Sequence, residues 1–567
     1  GIATGLTRII QPGELRVPEI QITPAKIPQE LEALDQAIAE TVSELRRLRD
    51  SAARKMASAV AKIFDAQLLI AGDYEFLKQV KDEITSQRRN AAYVYSSLVD
   101  KTMLPLKQST DPYMQQMVHE IQAVAKRILS RLSRSEAEAE DAAMLPDIVL
   151  VAQSFSPGDV LTYRNRHAAG FVSGEGGKNS HMALIARSLL APMVVCEDCW
   201  LQVTDGRRLV LDGTSGTVIV NPTDEEWSEY QRLKKRQGPA TIARLRKLDR
   251  IPPVTSDGKP VEIAANLELP GPVDDILAHQ RIPVGLYRTE FLYLQGDEFP
   301  DEQAQYEYYS RIAETFAPTP VVLRTFDIGS DKLKAGGSFG HEDNPALGWR
   351  GIRSMLDMPD VFKTQVRAVL RASVRKNILL LLPMVSDLSE YERAGKLIAQ
   401  VKLGLRRAGE PFDEEIKIGI MVEVPSAALM AEVLASKVDF ISIGTNDLTQ
   451  YTLSADRANT RVAKLYSSYH PSVLQLIKMT VDACKKHGKP VSICGEIAGD
   501  QLALPLFVGM GVGQLSMSPA KIYDMCRLVK QIDSNLVKHL VGAVMASPST
   551  AAVTRKLESF KEALDKS

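Results

Sequence analysis

Cysteine is scarce, charge is balanced and no stretch stays apolar for long, and each shortage excludes a class of protein. Five cysteines among 567 residues cannot staple a chain of this size, which excludes a secreted disulfide scaffold. Two of them, Cys196 and Cys199, form one C-x-x-C in VVCEDCW. A structural zinc site would need further thiol or imidazole ligands, and no second pair exists. Two half-buried thiols after a strand are expected there, with a redox pair as the alternative, and a reducing cytoplasm fits both. Net charge is −1, from 69 basic and 70 acidic residues. There is no basic field for nucleic acid and no acidic tail. The longest aliphatic run, Ile378 to Leu382, is far short of the ~20 residues of a membrane-spanning helix. No secretory n-region or cleavage site is present.

Glycine is missing over long distances, with none between Gly13 and Gly72 and none between Gly72 and Gly158. Together with abundant Ala, Leu, Glu, Gln and Arg, this argues for helices. Leu31, Leu34, Ile38, Val42, Leu45 and Leu48 repeat at helical spacing, and a second amphipathic run extends from Tyr113 to Leu132. Strands return from Asp147 onward: IVLVA (148–152), AGFVSG (169–174), APMVVC (191–196), RRLVLDG (207–213) and GTVIVNP (216–222). Such short runs with helices between them predict a small α/β domain. A charged helical segment follows, closed by Ile251-Pro252-Pro253-Val254, where neither proline can continue a helix. A length of 567 residues exceeds what one core can serve, so several domains are expected.

Within the α/β domain, Gly176-Gly177-Lys178-Asn179-Ser180-His181 gives way to the apolar-periodic Met182 to Ser188. This predicts a loop opening into a helix, with His181 in the first turn. Free N–H groups and the helix dipole there favour an anion, which suits a phosphoryl-bearing imidazole. A capping or packing histidine is the plainer alternative. A nucleotide P-loop is excluded, because Val172 stands where its first glycine must be and Asn179 follows the lysine.

Eight β-like runs occupy the C-terminal half: VEIAANL (261–267), PVGLYR (283–288), VVLRTFDI (321–328), ILLLLPMV (378–385), IKIGIMVEV (416–424), DFISIG (439–444), PVSICGE (490–496) and QLSMSP (514–519). Each precedes a helical pattern, and most are continuously apolar, as strands buried on both faces are. This predicts a (β/α)₈ TIM-like barrel. Arg288, Arg324, Asp327, Glu423, Asn446, Asp447, Cys494 and Glu496 fall at or just after the carboxyl ends of these runs, where barrel sites are built. Arg288, Arg324, Arg350 and Arg457 offer forked donors for phosphate and carboxylate. Glu423 and Asp447 are hard oxygen ligands suited to Mg²⁺, and Lys332 adds a point charge. The implied ligand is small, carries carboxylate and phosphate, and binds with a divalent metal.

The ordered set GGKNSHMALIARS, GLYRTEFL (285–292), RTFDIGSDK (324–332), NPALGWRGIR (344–353), IMVEVPSAA (420–428), SIGTNDLTQYTLSADR (442–457) and CGEIAGD (494–500) resembles phosphoenolpyruvate–protein phosphotransferase, Enzyme I of the bacterial phosphotransferase system. The likeness runs over nearly the whole chain and weakens in the helical stretch. It implies a multidomain α/β chain. A phosphohistidine domain is formed by 1–23 and 136–222, a carrier-docking helical bundle is inserted at 24–135, and a helical linker spans 223–255. A phosphoenolpyruvate-binding barrel at 256–545 and a helical tail at 546–567 complete it. The resemblance makes His181 the phosphoryl acceptor and Cys494 the proton donor that turns enolpyruvate into pyruvate. Arg288, Arg324, Arg350, Arg457, Asn446 and Lys332 would bind the substrate, and Glu423 and Asp447 would hold Mg²⁺. A small HPr-like histidine phosphocarrier would be the second partner, and the barrel a homodimerisation unit. One histidine serving two partners implies that its domain swings on the linker.

Two departures from the family stand out. Gln122 replaces an arginine that lies near the phosphohistidine in relatives, so carrier docking or the support of the phosphohistidine is expected to differ, and Ser330 replaces a common glycine. Asn179-Ser180-His181 and ADRANTRVAKLYSSYHP (455–471) look closer to the nitrogen-regulatory branch, so a sensory GAF domain is expected before Gly1, and the chain is expected to start partway along its first strand. Sugar-transport Enzyme I is the alternative. A pyruvate phosphate dikinase is disfavoured, because it needs a nucleotide-grasping domain where this chain has helices.

Overall fold

A computed structural model describes the chain except residues 11–16, 56–57, 108–111, 133–146, 156, 176–180, 190, 197–201, 214, 237–239, 249–252, 269, 272, 295–298, 330–343, 345–346, 457–460 and 567. The chain divides into two compact units, Gly1–Ala240 with Leu269–Pro272, and Thr241–Glu268 with Val273–Ser567.

The first unit is built on a six-stranded sheet. Its strands are β1 (Ile2–Ile9), β2 (Ile148–Ala152), β3 (Gly170–Ser173), β4 (Met193–Val195), β5 (Arg208–Asp212) and β6 (Thr217–Val220), in the order β4-β3-β2-β1-β5-β6. β1 to β4 run parallel, while β5 pairs antiparallel with both β1 and β6. The first strand therefore lies inside the sheet, and the chain leaves it through a helical bundle before returning at β2. Ala3, Val149, Val151, Val172, Leu209 and Leu211 form the core of one sheet face.

The bundle holds helices Ile27–Lys55, Ser58–Ala71, Tyr74–Gln87, Ala91–Lys107 and Pro112–Leu132. Of the periodic residues in the first of these, Leu34 and Leu45 are fully buried. Ala37 and Thr41 complete the stripe between them. Thr41 is tolerated there because its hydroxyl donates to Ala37 O at 2.8 Å and accepts from Arg131 Nη1 at 3.1 Å. Helix Asp224–Arg236, the start of the segment expected as a linker, is bonded to β1 of this unit: Gln231 Nε2 donates to Thr4 Oγ1 at 2.9 Å. Cys196 is disulfide-bonded, where two thiols were expected; residues 197–201 lie outside the described residues.

The second unit is a closed parallel barrel. Its strands are β7 (Glu262–Leu267), β8 (Val284–Tyr287), β9 (Val321–Arg324), β10 (Ile378–Leu382), β11 (Ile418–Val422), β12 (Ile441–Ile443), β13 (Val491–Ile493) and β14 (Gln514–Met517), each paired with the next and β14 with β7. All eight predicted runs are strands, but apart from β7 the ladders stop short of the predicted carboxyl ends. Residues such as Asp327, Glu423 and Cys494 follow the last ladder residue and turn into the mouth instead. Leu286, Val322, Leu381, Met421 and Phe440 pack with Cys494 as an apolar floor inside the barrel. No described helix is long and apolar enough to cross a membrane.

Gly419 in β11 shows how tight the wall is. A Cβ there would lie 2.5 Å from Cε2 of Phe440. Overpacking of this kind costs typically ~1–3 kcal/mol. Gly419→Ala is therefore expected to lower the denaturant midpoint of barrel unfolding by about that amount. Adding Phe440→Leu should recover part of the loss, since it removes ring atoms in collision. Strictly additive losses in the double variant would contradict this contact.

Candidate active site

The carboxyl ends of the barrel strands bring most of the sequence-derived residues together. Arg288 and Glu290 follow β8, Arg324 ends β9, Glu423 follows β11, and Cys494 follows β13. Asn446 and Asp447 sit in the first turn of helix Thr445–Leu453, after β12. Arg350 comes from the crossover between β9 and β10 and folds back onto the mouth. Arg457 and Lys332 lie outside the described residues.

The arginines are held by carboxylates. Arg350 grips Asp327 with both edges of its fork, Nε to Oδ1 at 3.0 Å and Nη2 to Oδ2 at 2.6 Å. Its Nη1 donates to Tyr451 OH at 3.1 Å, and Nη2 lies 3.5 Å from Asp447. Arg324 Nη2 donates to Glu290 Oε1 at 2.7 Å, and its Nη1 lies 3.3 Å from Asp327. Arg288 pairs with Glu268. Burial alone would lower the guanidinium pKa values of Arg324 and Arg350, but the adjacent carboxylates hold both above the ordinary arginine value. Nε of Arg324 has no hydrogen-bond partner among the described residues, a buried donor left for a ligand.

Among the described residues, five carboxylates, Glu268, Glu290, Asp327, Glu423 and Asp447, contact or face three guanidiniums, Arg288, Arg324 and Arg350; Arg457 and Lys332 are not in this count. Burial, then the carboxylates of Asp447 and Asp327, push Glu423 up to about 8. Its Oε1 accepts from Met384 N at 2.7 Å. Among the described residues no three His, Cys, Asp or Glu side chains form a metal site by themselves. Glu423 and Asp447 nevertheless suit an ion that keeps part of its coordination for substrate oxygens, as Mg²⁺ does.

Cys494 sits over the apolar floor, 3 % exposed. Its thiol donates to Ile443 O at 3.6 Å, and burial pushes it up to about 11, so it is neutral at pH 7. Asn446 Oδ1 accepts from Glu496 N at 2.9 Å, which leaves its amide nitrogen as the donor side.

In the first unit, His181 is the opening residue of helix His181–Ser188, as predicted, while the glycine-rich loop before it lies outside the described residues. Sequence reasoning missed Glu290, Glu268 and Tyr451. Glu290 and Tyr451 stand inside quoted motifs, so their positions were on view, but their pairing with arginines was not.

Three family models match the chain. A model described as PEP-utilising enzyme, N-terminal, covers residues 1–116, one described as mobile domain covers 145–216, and one described as PEP-binding domain covers 242–534. The phosphoenolpyruvate-protein phosphotransferase of Listeria innocua is 35% identical over 561 residues, 99% of this chain and 97% of the relative. That of Enterococcus faecalis is 39% identical over 521 residues, 91% of this chain and 90% of the relative. A solution structure of Enzyme I covers 41% of this chain and 95% of its own at 25% identity, with a TM-score of 0.33, too low to carry an argument.

Gly495 holds the two sides of the mouth together. A Cβ there would lie 1.8 Å from Thr445 Oγ1 and 3.0 Å from Asn446 Oδ1. Gly495→Ala is expected to displace the 445–447 turn and lower turnover by about a hundredfold, the order that misplacement of a binding group costs. The far-ultraviolet dichroism of the variant should match the parent. Parental turnover in Gly495→Ala would show that this turn is not part of the site.

Proposed function

The chain belongs to the phosphoenolpyruvate-protein phosphotransferase (Enzyme I) family, and on that premise we propose how its residues move the phosphoryl group of phosphoenolpyruvate to His181 and on to a histidine of a small phosphocarrier protein. The observation that carries the reading is the set of forked guanidiniums ordered by buried carboxylates at one end of the barrel.

In this reading Arg288, Arg324 and Arg350, with Arg457 and Lys332, bind the phosphoryl oxygens and neutralise charge in flight, while the amide nitrogen of Asn446 donates to the substrate. Glu423 and Asp447 would hold Mg²⁺, which when bound polarises substrate oxygens and offsets carboxylate charge. Nε2 of His181 attacks phosphorus in line. The bond from phosphorus to the enol oxygen breaks, and its electron pair stays on that oxygen. Cys494 then gives its proton to the methylene carbon, leaving pyruvate and a thiolate that solvent reprotonates. Positioning and charge stabilisation supply most of the rate.

Leu69 and Tyr74 flank the turn between two bundle helices and are 78% and 72% exposed, which supports docking of an HPr-like carrier there. Gln122 is also exposed, so this position offers an amide where the family has an arginine. Exposed Leu429, Met430 and Val433 on the barrel support homodimerisation. The motif likeness at 179–181 and 455–471 leans toward the nitrogen branch. The curated relatives favour the sugar-transport Enzyme I instead: 97% of the length of the Listeria innocua protein is already matched, which leaves that relative no room for an added sensory domain.

Labelled phosphoenolpyruvate with Mg²⁺ should phosphorylate His181, giving an adduct labile to acid and stable to alkali. Undiminished labelling of His181→Ala would end the proposal. Glu423→Ala or Asp447→Ala should abolish this labelling, yet leave His181 able to accept phosphate back from a phosphorylated carrier.

Cys494 admits a sharper test. General acids contribute typically ~10²–10⁴-fold, so Cys494→Ala should lose about that factor in pyruvate formation and in exchange of solvent deuterium into the pyruvate methyl group. Serine should rescue little, its hydroxyl being a weaker acid. A general acid works only while protonated, so the parent enzyme should hold this step through neutral pH and lose it as pH approaches the thiol's value of about 11. Parental deuterium exchange in Cys494→Ala would move the role to Glu496 or water.

A further inference from the structure

A fully buried glutamine on the outside of the barrel reaches through its wall to the arginine-bearing segments. Helix Pro359–Ala372 buries Phe362, Gln365, Val366 and Val369, an apolar stripe at helical spacing interrupted by one amide. Gln365 is 0% exposed. Its Oε1 accepts from Phe326 N at 3.0 Å, and its Nε2 donates to Thr289 Oγ1 and to Tyr309 OH, each at 3.1 Å. Thr289 Oγ1 in turn donates to Arg324 O at 2.8 Å.

Those partners flank the groups that matter. Thr289 lies between Arg288 and Glu290, and Phe326 precedes Asp327, the carboxylate gripped by Arg350. Glu290 Oε1 closes the loop by accepting from both Arg324 Nη2 at 2.7 Å and Asp327 N at 2.9 Å. One amide thus ties the segment after β8 to the segment after β9. A glutamine in this apolar stripe costs stability unless bonded, and every bond it makes points toward these two segments or toward Tyr309, itself bonded to Gln305 Oε1 at 3.1 Å.

We propose that Gln365 is a positioning residue that sets Arg288 and Arg324 for the substrate phosphate without touching the substrate. The inference rests on the substrate role given to those arginines above. Replacing Gln365 by Met keeps length and removes the bonds. Phe326 N then loses its acceptor and Thr289 Oγ1 loses the donor Gln365 Nε2 while keeping its own bond to Arg324 O, and the tether through Gln365 is gone.

The test is steady-state labelling of His181 by phosphoenolpyruvate in the full chain with Mg²⁺. Gln365→Met should raise KM for phosphoenolpyruvate by about tenfold to a hundredfold, the range that misplacement from outside the chemistry produces. Back-transfer from a phosphorylated carrier to His181 should stay at the parental rate. Gln365→Glu keeps the acceptor for Phe326 N and should fall between Met and the parent. Thr289→Val breaks the same tether from the other end. It should raise KM similarly, and the double variant should be little worse than Gln365→Met alone. If Gln365→Met does not fold, Gln365→Glu, which loses both Nε2 bonds and leaves the Thr289 bond to Arg324 O in place, decides the matter.

A purely structural glutamine would lower the unfolding midpoint and leave KM of the folded enzyme unchanged, and that outcome overturns the proposal. Arg324→Met separates this failure from failure of the parent reading. Parental KM in Arg324→Met removes the substrate role of the arginine itself. Raised KM there with parental KM in Gln365→Met and Thr289→Val removes only the positioning role.

Discussion

The second unit depends on the mutual grip of Asp327 and the guanidiniums of Arg324 and Arg350. Asp327 is 2% exposed, and it meets Arg350 at 2.6 Å and Arg324 at 3.3 Å. Desolvating such groups is expensive, and a buried ion pair is weak evidence for stability. What the arrangement secures is geometry. An unpaired arginine samples many rotamers, and fixing it on binding costs entropy each time. Held in a fork by Asp327, Arg350 is already ordered, and most of that cost falls in folding instead of binding.

Ordering cations with anions has an electrostatic consequence. A mouth meant for a polyanion cannot remain rich in carboxylate, yet the described residues place more carboxylates than guanidiniums there. The strain falls on Glu423, pushed up to about 8 by burial and by Asp447 and Asp327. In the proposed reaction a divalent cation held by Glu423 and Asp447 would relieve it.

The barrel and its mouth were largely legible in the sequence, because continuously apolar runs identify buried parallel strands and polar residues after them identify the rim. The strand ends were less so, since a residue such as Glu423 leaves the ladder to face the mouth, and no pattern marks the last bonded residue. Glu290 and Tyr451 were visible as letters, but a pairing between groups from different strands exists only once the barrel closes. Gln365 was the hardest. A lone amide at the spacing of an apolar stripe looks like a surface position slightly misplaced, and only its three bonds show why the helix accepts it. The state of Cys196 was misjudged because cysteine count speaks for the whole chain and not for one residue.

The thiol at position 494 fits the same charge logic. A carboxylic acid in its place would titrate closer to neutrality than a buried thiol does. A thiol held up to about 11 by burial stays neutral while the substrate anion enters. After it gives up its proton, the resulting thiolate lies within the field of Arg288 and Arg324, both of which favour its charged form. In the proposed reaction those arginines would by then have lost the phosphoryl group to the histidine, so departure of that anion and creation of a thiolate would partly offset one another at the same guanidiniums. Leu286, Val322, Leu381, Met421 and Phe440 pack against the sulfur, and it is this apolar burial that holds the thiol neutral.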